Sequence, residues 1–149
     1  MKTIETERLI LRDWIEDDIG CGVFDEKTIR YLIDKKDNYA VVLKETGAVI
    51  GTIGLNEDGQ EKDPDKVRNV GFRILEPYQR RGLITEALEC VIRNAGEITE
   101  ELSYMCPTGH HVSRHIAEKF GFQYVRTLYG VKNSHMEEPM DFLYFRLKL

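Results

Sequence analysis

Residues 6–14, the run Thr6-Glu7-Arg8-Leu9-Ile10-Leu11-Arg12-Asp13-Trp14, set an apolar block among polar positions, are rich in β-formers and alternate well enough to read as a strand. The acids Asp17-Asp18 and Asp25-Glu26 precede two short amphipathic segments, the second with Ile29, Leu32 and Ile33 on one side, as expected near helix N-termini. Residues 39–43 and 48–55 read as strands joined by Glu45-Thr46-Gly47, a hairpin turn with glycine available for positive φ. A polar stretch over 56–65, containing Asp58-Gly59 and Asp63-Pro64, predicts a loop before a third strand of this meander at 67–75.

From Gly82 the period changes. Leu83, Ala87, Leu88, Val91, Ile92 and Ala95 recur at helical spacing, and Gly96 sits where a left-handed C-terminal residue belongs. A strand at 102–106 follows, then a helix at 112–120 with Ile116, Ala117 and Phe120 inward and Gly121 as its stop. Residues 122–129 and 142–149 read as the last strands, separated by a polar loop containing Pro139. The order predicts an α+β domain of about seven strands and about four helices. The strands at 67–75 and 102–106 flank a helix and can form one parallel, right-handed βαβ unit, where a ligand would gather.

With 149 residues, 42% apolar and 32% charged, the chain is one domain's worth of globular polypeptide, and 1–149 is expected to fold as a single domain. A net charge of -5 offers no global attraction for nucleic acid, so an anionic ligand has to be held locally. No stretch approaches a membrane span. Met1-Lys2-Thr3-Ile4-Glu5 leads into charged sequence rather than a signal peptide, which makes a cytoplasmic location the expectation. Cys21, Cys90 and Cys106 are widely spaced and odd in number, a pattern of reduced thiols rather than of a disulfide framework.

The turn Gln79-Arg80-Arg81-Gly82 opens the best-defined helix. A helix N-terminus presents N–H groups without intrahelical partners and the positive end of the macrodipole. Two arginines and a residue lacking Cβ add what a bulky diphosphate needs for close approach. Four such residues by themselves read more readily as an exposed basic turn that merely caps a helix, because such short patterns are common.

The longer stretch Gly71-Phe72-Arg73-Ile74-Leu75-Glu76-Pro77-Tyr78-Gln79-Arg80-Arg81-Gly82-Leu83-Ile84-Thr85-Glu86-Ala87-Leu88 resembles the central motif of the GNAT superfamily of acetyl-coenzyme A-dependent N-acetyltransferases. Glu5-Thr6-Glu7-Arg8-Leu9-Ile10-Leu11-Arg12, and Ser113 followed by Glu118-Lys119-Phe120-Gly121-Phe122, resemble the branch of ribosomal-protein N-terminal acetyltransferases. The resemblance implies a central mixed, mostly antiparallel twisted sheet with acetyl-coenzyme A as co-substrate. Backbone at Ile74 and Leu75 would bond the acetyl-pantetheine, and N–H groups of Arg80, Arg81, Gly82, Leu83, Ile84 and Thr85 would hold the pyrophosphate. Ile84 departs from the family pattern, which has glycine or alanine there, and its bulk would tighten the phosphate approach.

Acyl transfer to an amine needs a neutral nucleophile and a stabilised oxyanion, whereas the leaving thiolate, with a thiol pKa of about 8.5, needs little protonation. Many relatives supply that proton from a tyrosine four residues before the last motif's glycine. Here that position is Ala117. Ser113, matched to a serine proposed as catalytic in the N-terminal acetyltransferase branch, is the replacement, and it reads equally well as a helix N-cap or first-turn serine. His110 stands where that branch often has asparagine and is a candidate for contacting pantetheine or substrate, or is simply a surface histidine. Glu57 is the candidate base, with Asp58 and Glu76 as neighbours of similar type; each also reads as a solvated carboxylate.

His111 and His115 have i, i+4 spacing near Cys106 but lack the intervening glutamate or second cysteine of zinc motifs, so no metal is expected. The acceptor is an amine of a small molecule or a peptide N-terminus, and relatives suggest a homodimer. The absent tyrosine leaves one reading of a different class, a non-catalytic acyl-coenzyme A binding or sensing module.

Overall fold

The N-terminal alternation is split in the computed structural model, which describes residues 1–149: β1 (Ile4–Glu5) pairs antiparallel with β2 (Leu9–Asp13). Thr6 forms the reversal, its N–H donating to the Leu9 carbonyl and its hydroxyl accepting the Leu9 N–H. The first expected helix is only a 3-10 turn at Glu16–Asp18. Asp18 is turned inward there, accepting both guanidinium nitrogens of Arg12 at 2.9 Å and the Ile15 N–H, and Gly20 and Gly22 follow at φ 93° and 94°, which no right-handed helix tolerates. The second helix forms as expected: α1 (Glu26–Lys35) is capped by Asp25, whose carboxylate accepts the Thr28 N–H, and it buries Ile29 and Leu32.

The chain forms two compact units, Met1–Asn56 with Gly71–Ala95, and Glu57–Val70 with Gly96–Leu149. In the first, β3 (Asn38–Leu43) and β4 (Val49–Glu57) make the hairpin, with Gly47 at φ 74° in its turn. β3 is buried along its whole length, which explains its unbroken apolar run. β5 (Val67–Ile74) is divided between the units: its residues from Gly71 on belong to this one and follow β4 in the sheet, and α2 (Leu83–Ala95) presents Leu83, Ala87, Leu88 and Val91 as one buried stripe.

In the second unit, β6 (Glu101–Pro107) runs parallel to the first half of β5, from Val67 opposite Glu101 to Val70 opposite Tyr104. β8 (Met140–Lys148) lies antiparallel to β6, and β7 (Gln123–Val131) antiparallel to β8. Its core gathers Leu102, Tyr104, Cys106, Tyr144 and Phe145. α3 (His111–Lys119) buries Ala117 fully, while Ile116 and Phe120 stay half-buried, so the expected inward trio reduces to one residue.

The strand order is β1-β2-β3-β4-β5-β6-β8-β7, a mixed, mostly antiparallel α+β sheet. It has eight strands and three α-helices rather than about seven and four, because β1 is separate and the Asp17–Asp18 segment does not become a helix. Gly121 ends α3 at φ 84°, as expected, but Gly96 is not left-handed: α2 runs out through a turn over residues 96–98 instead. No helix is long and apolar enough to cross a membrane.

Candidate functional site

In the first unit, the end of β5 is drawn tightly against β4. A Cβ on Gly51 would collide with the Arg73 carbonyl oxygen, so only glycine permits this approach. One residue on, the Leu75 N–H donates to the Ile50 carbonyl at 2.8 Å, and the Leu75 carbonyl accepts the Tyr78 N–H. Both backbone groups of Leu75 are therefore used within the fold. Successive backbone groups of a strand point to opposite sides, so the Ile74 N–H is directed away from β4. Of the two residues expected to bond the acetyl-pantetheine, Ile74 is the one whose donor faces outward.

A 3-10 turn at Glu76–Tyr78, entered through Pro77, leads to the basic turn. The Gln79 side chain donates back to the Ile74 carbonyl at 3.0 Å and ties the turn to the strand end. Arg80 adopts φ 61° and Gly82 φ 74°, so two left-handed residues flank Arg81. The first bond of α2 runs from the Glu86 N–H to the Gly82 carbonyl. The N–H groups of Leu83, Ile84 and Thr85 precede it and have no helical acceptor, and the curl at Arg80 to Gly82 adds further backbone donors. Ile84 is half-buried and Arg80 and Arg81 are exposed. The Arg81 guanidinium lies over the Tyr78 ring, 5.9 Å from its centroid.

Behind the turn is a group that sequence reading missed. Glu86, in the first turns of α2, accepts from the Thr6 hydroxyl, the Arg8 N–H at 3.0 Å and the Arg8 Nε at 2.8 Å. Burial pushes its carboxyl upward, but the bonds from Thr6 and Arg8 outweigh that and hold it below the usual range. The one available signal was a polar Thr-Glu-Arg interruption in a segment otherwise read as strand.

In the second unit, His110 caps α3: its Nδ1 accepts the Ser113 N–H at 3.1 Å. Ser113 is thus not the cap but a first-turn serine of α3. Its hydroxyl is 2.8 Å from the Tyr104 hydroxyl, which also donates to the Ser113 carbonyl at 2.9 Å. Burial raises the Tyr104 phenol despite the Ser113 bond, so it remains protonated at neutral pH. Cys106 shares this cluster, and burial pushes its thiol up as well, with the nearby Arg114 and the Ser113 hydroxyl opposing. A thiol of that kind is a poor nucleophile. Tyr104 reads in the sequence only as a strand residue, and its hydroxyl's use became visible with the placement of α3 beside β6.

Glu57 ends β4 exposed, and no hydrogen bond or ion pair joins it to Ser113 or His110. Its neighbour Asp58 is 3% exposed and accepts the Ser103 hydroxyl at 2.6 Å, the Tyr144 hydroxyl at 2.8 Å and the N–H groups of Gln60 and Glu61. That carboxylate closes the loop onto the sheet and is turned away from solvent. No group of three or more histidine, cysteine, aspartate or glutamate side chains is arranged to hold a metal ion.

A family model described as the acetyltransferase (GNAT) domain matches residues 12–123. Among solved structures, a GNAT-family acetyltransferase from Bacillus anthracis superposes with a TM-score of 0.80 at 18% identity, covering 99% of this chain and 98% of that one. An acetyl transferase from Salmonella typhimurium that modifies the N-terminal serine of the ribosomal protein L7/L12 gives 0.78 at 12% identity, with 99% of each chain covered. The microcin C7 self-immunity acetyltransferase, solved in complex with acetyl-coenzyme A and AMP, gives 0.73 at 12% identity, covering 97% of this chain and 94% of that one. At these identities the likeness is one of fold. No curated protein sequence matches the chain.

Proposed function

The chain belongs to the GNAT acetyltransferase domain family and is an acetyl-coenzyme A-dependent N-acetyltransferase, and on that premise we propose how its residues divide the work. The observation that carries the proposal is the donor-rich turn: the left-handed residues Arg80 and Gly82 lead into three helical N–H groups that lack acceptors. This fits a diphosphate, which takes several short charge-assisted bonds from backbone N–H groups. Arg80, Arg81, Gly82, Leu83, Ile84 and Thr85 hold the pyrophosphate. The Ile74 N–H polarises the thioester carbonyl and receives the negative charge that develops on its oxygen when the amine attacks.

The amine nitrogen forms a bond to the carbonyl carbon, the carbon–sulfur bond breaks, and the amine's proton leaves to a base or to water. The sulfur departs as a thiolate and takes up a proton. Ser113 is the proposed donor of that proton; with the Tyr104 proton given to the Ser113 carbonyl, the bond between the two hydroxyls is donated by Ser113, whose O–H turns from Tyr104 to the sulfur to give the proton up. His110 holds Ser113 in register by accepting the Ser113 N–H at its Nδ1. Glu57, exposed and without a protein partner, is the proposed base.

The acceptor proposed is a peptide α-amine. Its pKa of about 7.7 leaves a substantial neutral fraction near pH 7, which suits a site without a strongly built base. The ribosomal-protein acetyltransferases among the solved structures of similar fold support that choice. The family match draws on residues of both compact units, which supports reading 1–149 as one catalytic domain, and a cytoplasmic homodimer is the proposed working form.

Mixing the protein with acetyl-coenzyme A and a panel of N-terminal peptides, polyamines and amino acids should release free thiol in an amine-dependent way, fastest with the peptides. Calorimetry showing no acetyl-coenzyme A binding would sink the proposal. Turnover confined to polyamines would overturn the acceptor class alone.

A further inference from the structure

Arg8 lies outside the phosphate turn in sequence, yet its guanidinium joins the two pieces that shape it. Nε donates to Glu86 Oε1 at 2.8 Å, and Nη1 donates to the Arg81 carbonyl at 3.0 Å. The carboxylate it rests on is itself immobilised, since Glu86 Oε2 accepts both the Thr6 hydroxyl and the Arg8 N–H. The Arg8 carbonyl accepts the Lys44 N–H, so the backbone of this segment is fixed to the turn that follows β3. A planar guanidinium locked at Nε has little freedom in where Nη1 points.

The consequence falls on one peptide plane. In a trans peptide the carbonyl and the following N–H point in opposite directions. Arg8 holds the Arg81 carbonyl, and the Gly82 N–H therefore faces the other side of the turn. An anion-binding concavity requires this arrangement, with N–H groups inward and carbonyl oxygens outward. A peptide next to glycine is otherwise easily rotated, because glycine accepts both signs of φ, and rotation would aim a carbonyl dipole at the anion. Arg8 also offsets the charge of Glu86, which would otherwise repel a phosphate near the same helix end.

We propose that Arg8, aimed by Glu86, is a positioning residue for the diphosphate of the acyl donor, acting through the Arg81 carbonyl on the Gly82 N–H. The inference rests on the turn being the pyrophosphate site. It predicts an effect confined to donors that carry a diphosphate.

The experiment compares acetyl-coenzyme A with S-acetylpantetheine, which has the same thioester and pantetheine arm but no diphosphate, in wild-type protein and in R8K, R8A and E86Q. R8A should lower the ratio of kcat/KM for acetyl-coenzyme A over that for S-acetylpantetheine about ten-fold, the size expected for losing one charge-assisted bond, mainly through KM. R8K should recover only part of it, because an ammonium cannot span Glu86 and the Arg81 carbonyl as a fork does. E86Q should move the ratio the same way by less. If R8A does not fold, R8K and E86Q decide the matter by the same ratio. An unchanged ratio in the folded variants overturns the inference while leaving the cofactor reading intact. A wild-type protein that uses both donors equally well overturns the pyrophosphate reading and this inference with it.

Discussion

Gly51 and Arg73 lie so close that a side-chain carbon on residue 51 would overlap the Arg73 carbonyl oxygen and stand 3.1 Å from the Ile74 Cα. The contact fixes the end of β5, where the outward N–H of Ile74 is carried. Gly51→Ala cannot be absorbed by a flexible side chain, since the atoms it meets are backbone. The strand end must shift, at a cost of about 1–3 kcal/mol for overpacking. The expected result is a lowered Tm together with a fall in kcat, read against Gly47→Ala, which meets open space and bears only the strain of its positive φ. A Gly51→Ala enzyme with wild-type kcat would remove the role given to the β5 end.

The Thr6–Arg8–Glu86 group has a pH signature. Glu86 titrates below its ordinary range, so its contribution to stability is fully present above the unfolded carboxylate value of about 4.3 and is lost as pH falls through the lower, folded value. The difference in Tm between wild type and E86Q should be constant above about pH 5.5 and shrink steadily in more acid buffer. A difference that grows on acidification would contradict the bonding pattern around Glu86.

Much of this architecture was legible in the sequence because its signals are local. The hairpin around Gly47, the stripe of Leu83, Ala87, Leu88 and Val91 and the stop at Gly121 all follow from spacing and glycine conformation. The misses share another origin. The helix expected after Asp17 fails because Asp18 is taken by Arg12, and the bracing of α2 depends on Arg8 meeting Glu86 across 78 positions. Such pairings depend on how elements pack, which periodicity does not encode. The bond from the Leu75 N–H to the Ile50 carbonyl is set by packing in the same way.

His110 provides a separate test of the second unit. As the cap of α3 it accepts the Ser113 N–H, a role asparagine also fills. His110→Ala should cost about 1 kcal/mol in urea unfolding, and His110→Asn should cost much less. If the two variants are equally destabilised, the imidazole contributes packing rather than a cap.

The hydroxyls of Ser113 and Tyr104 share one bond, so their substitutions should not add. Ser113→Ala is expected to lower kcat with little change in KM for acetyl-coenzyme A, and Tyr104→Phe to lower it less. The double variant should resemble Ser113→Ala alone, giving a non-zero coupling energy. Additive losses would separate the two groups. Cys106, whose thiol burial keeps protonated, should carry no acetyl adduct in intact-mass spectra taken during turnover.

The turn itself yields the sharpest contrast, since Arg80 and Gly82 share a left-handed backbone but differ in what a side chain would do. At position 80 the arginine already bears the strain of φ 61°, so Arg80→Gly should stabilise the fold by about 1 kcal/mol while removing one exposed charge. At position 82 the folded chain has room for a Cβ, whose nearest neighbour would be Arg8 Nη2 at 3.6 Å, so the obstacle to substitution is backbone strain and the closeness of the diphosphate. Gly82→Val should therefore weaken acetyl-coenzyme A binding far more than Arg80→Ala. Raising salt should narrow the loss in Arg80→Ala, which is one of exposed charge, and leave the loss in Gly82→Val unchanged. Equal losses with equal salt dependence would make the turn a patch of positive charge rather than a shaped cradle of N–H groups.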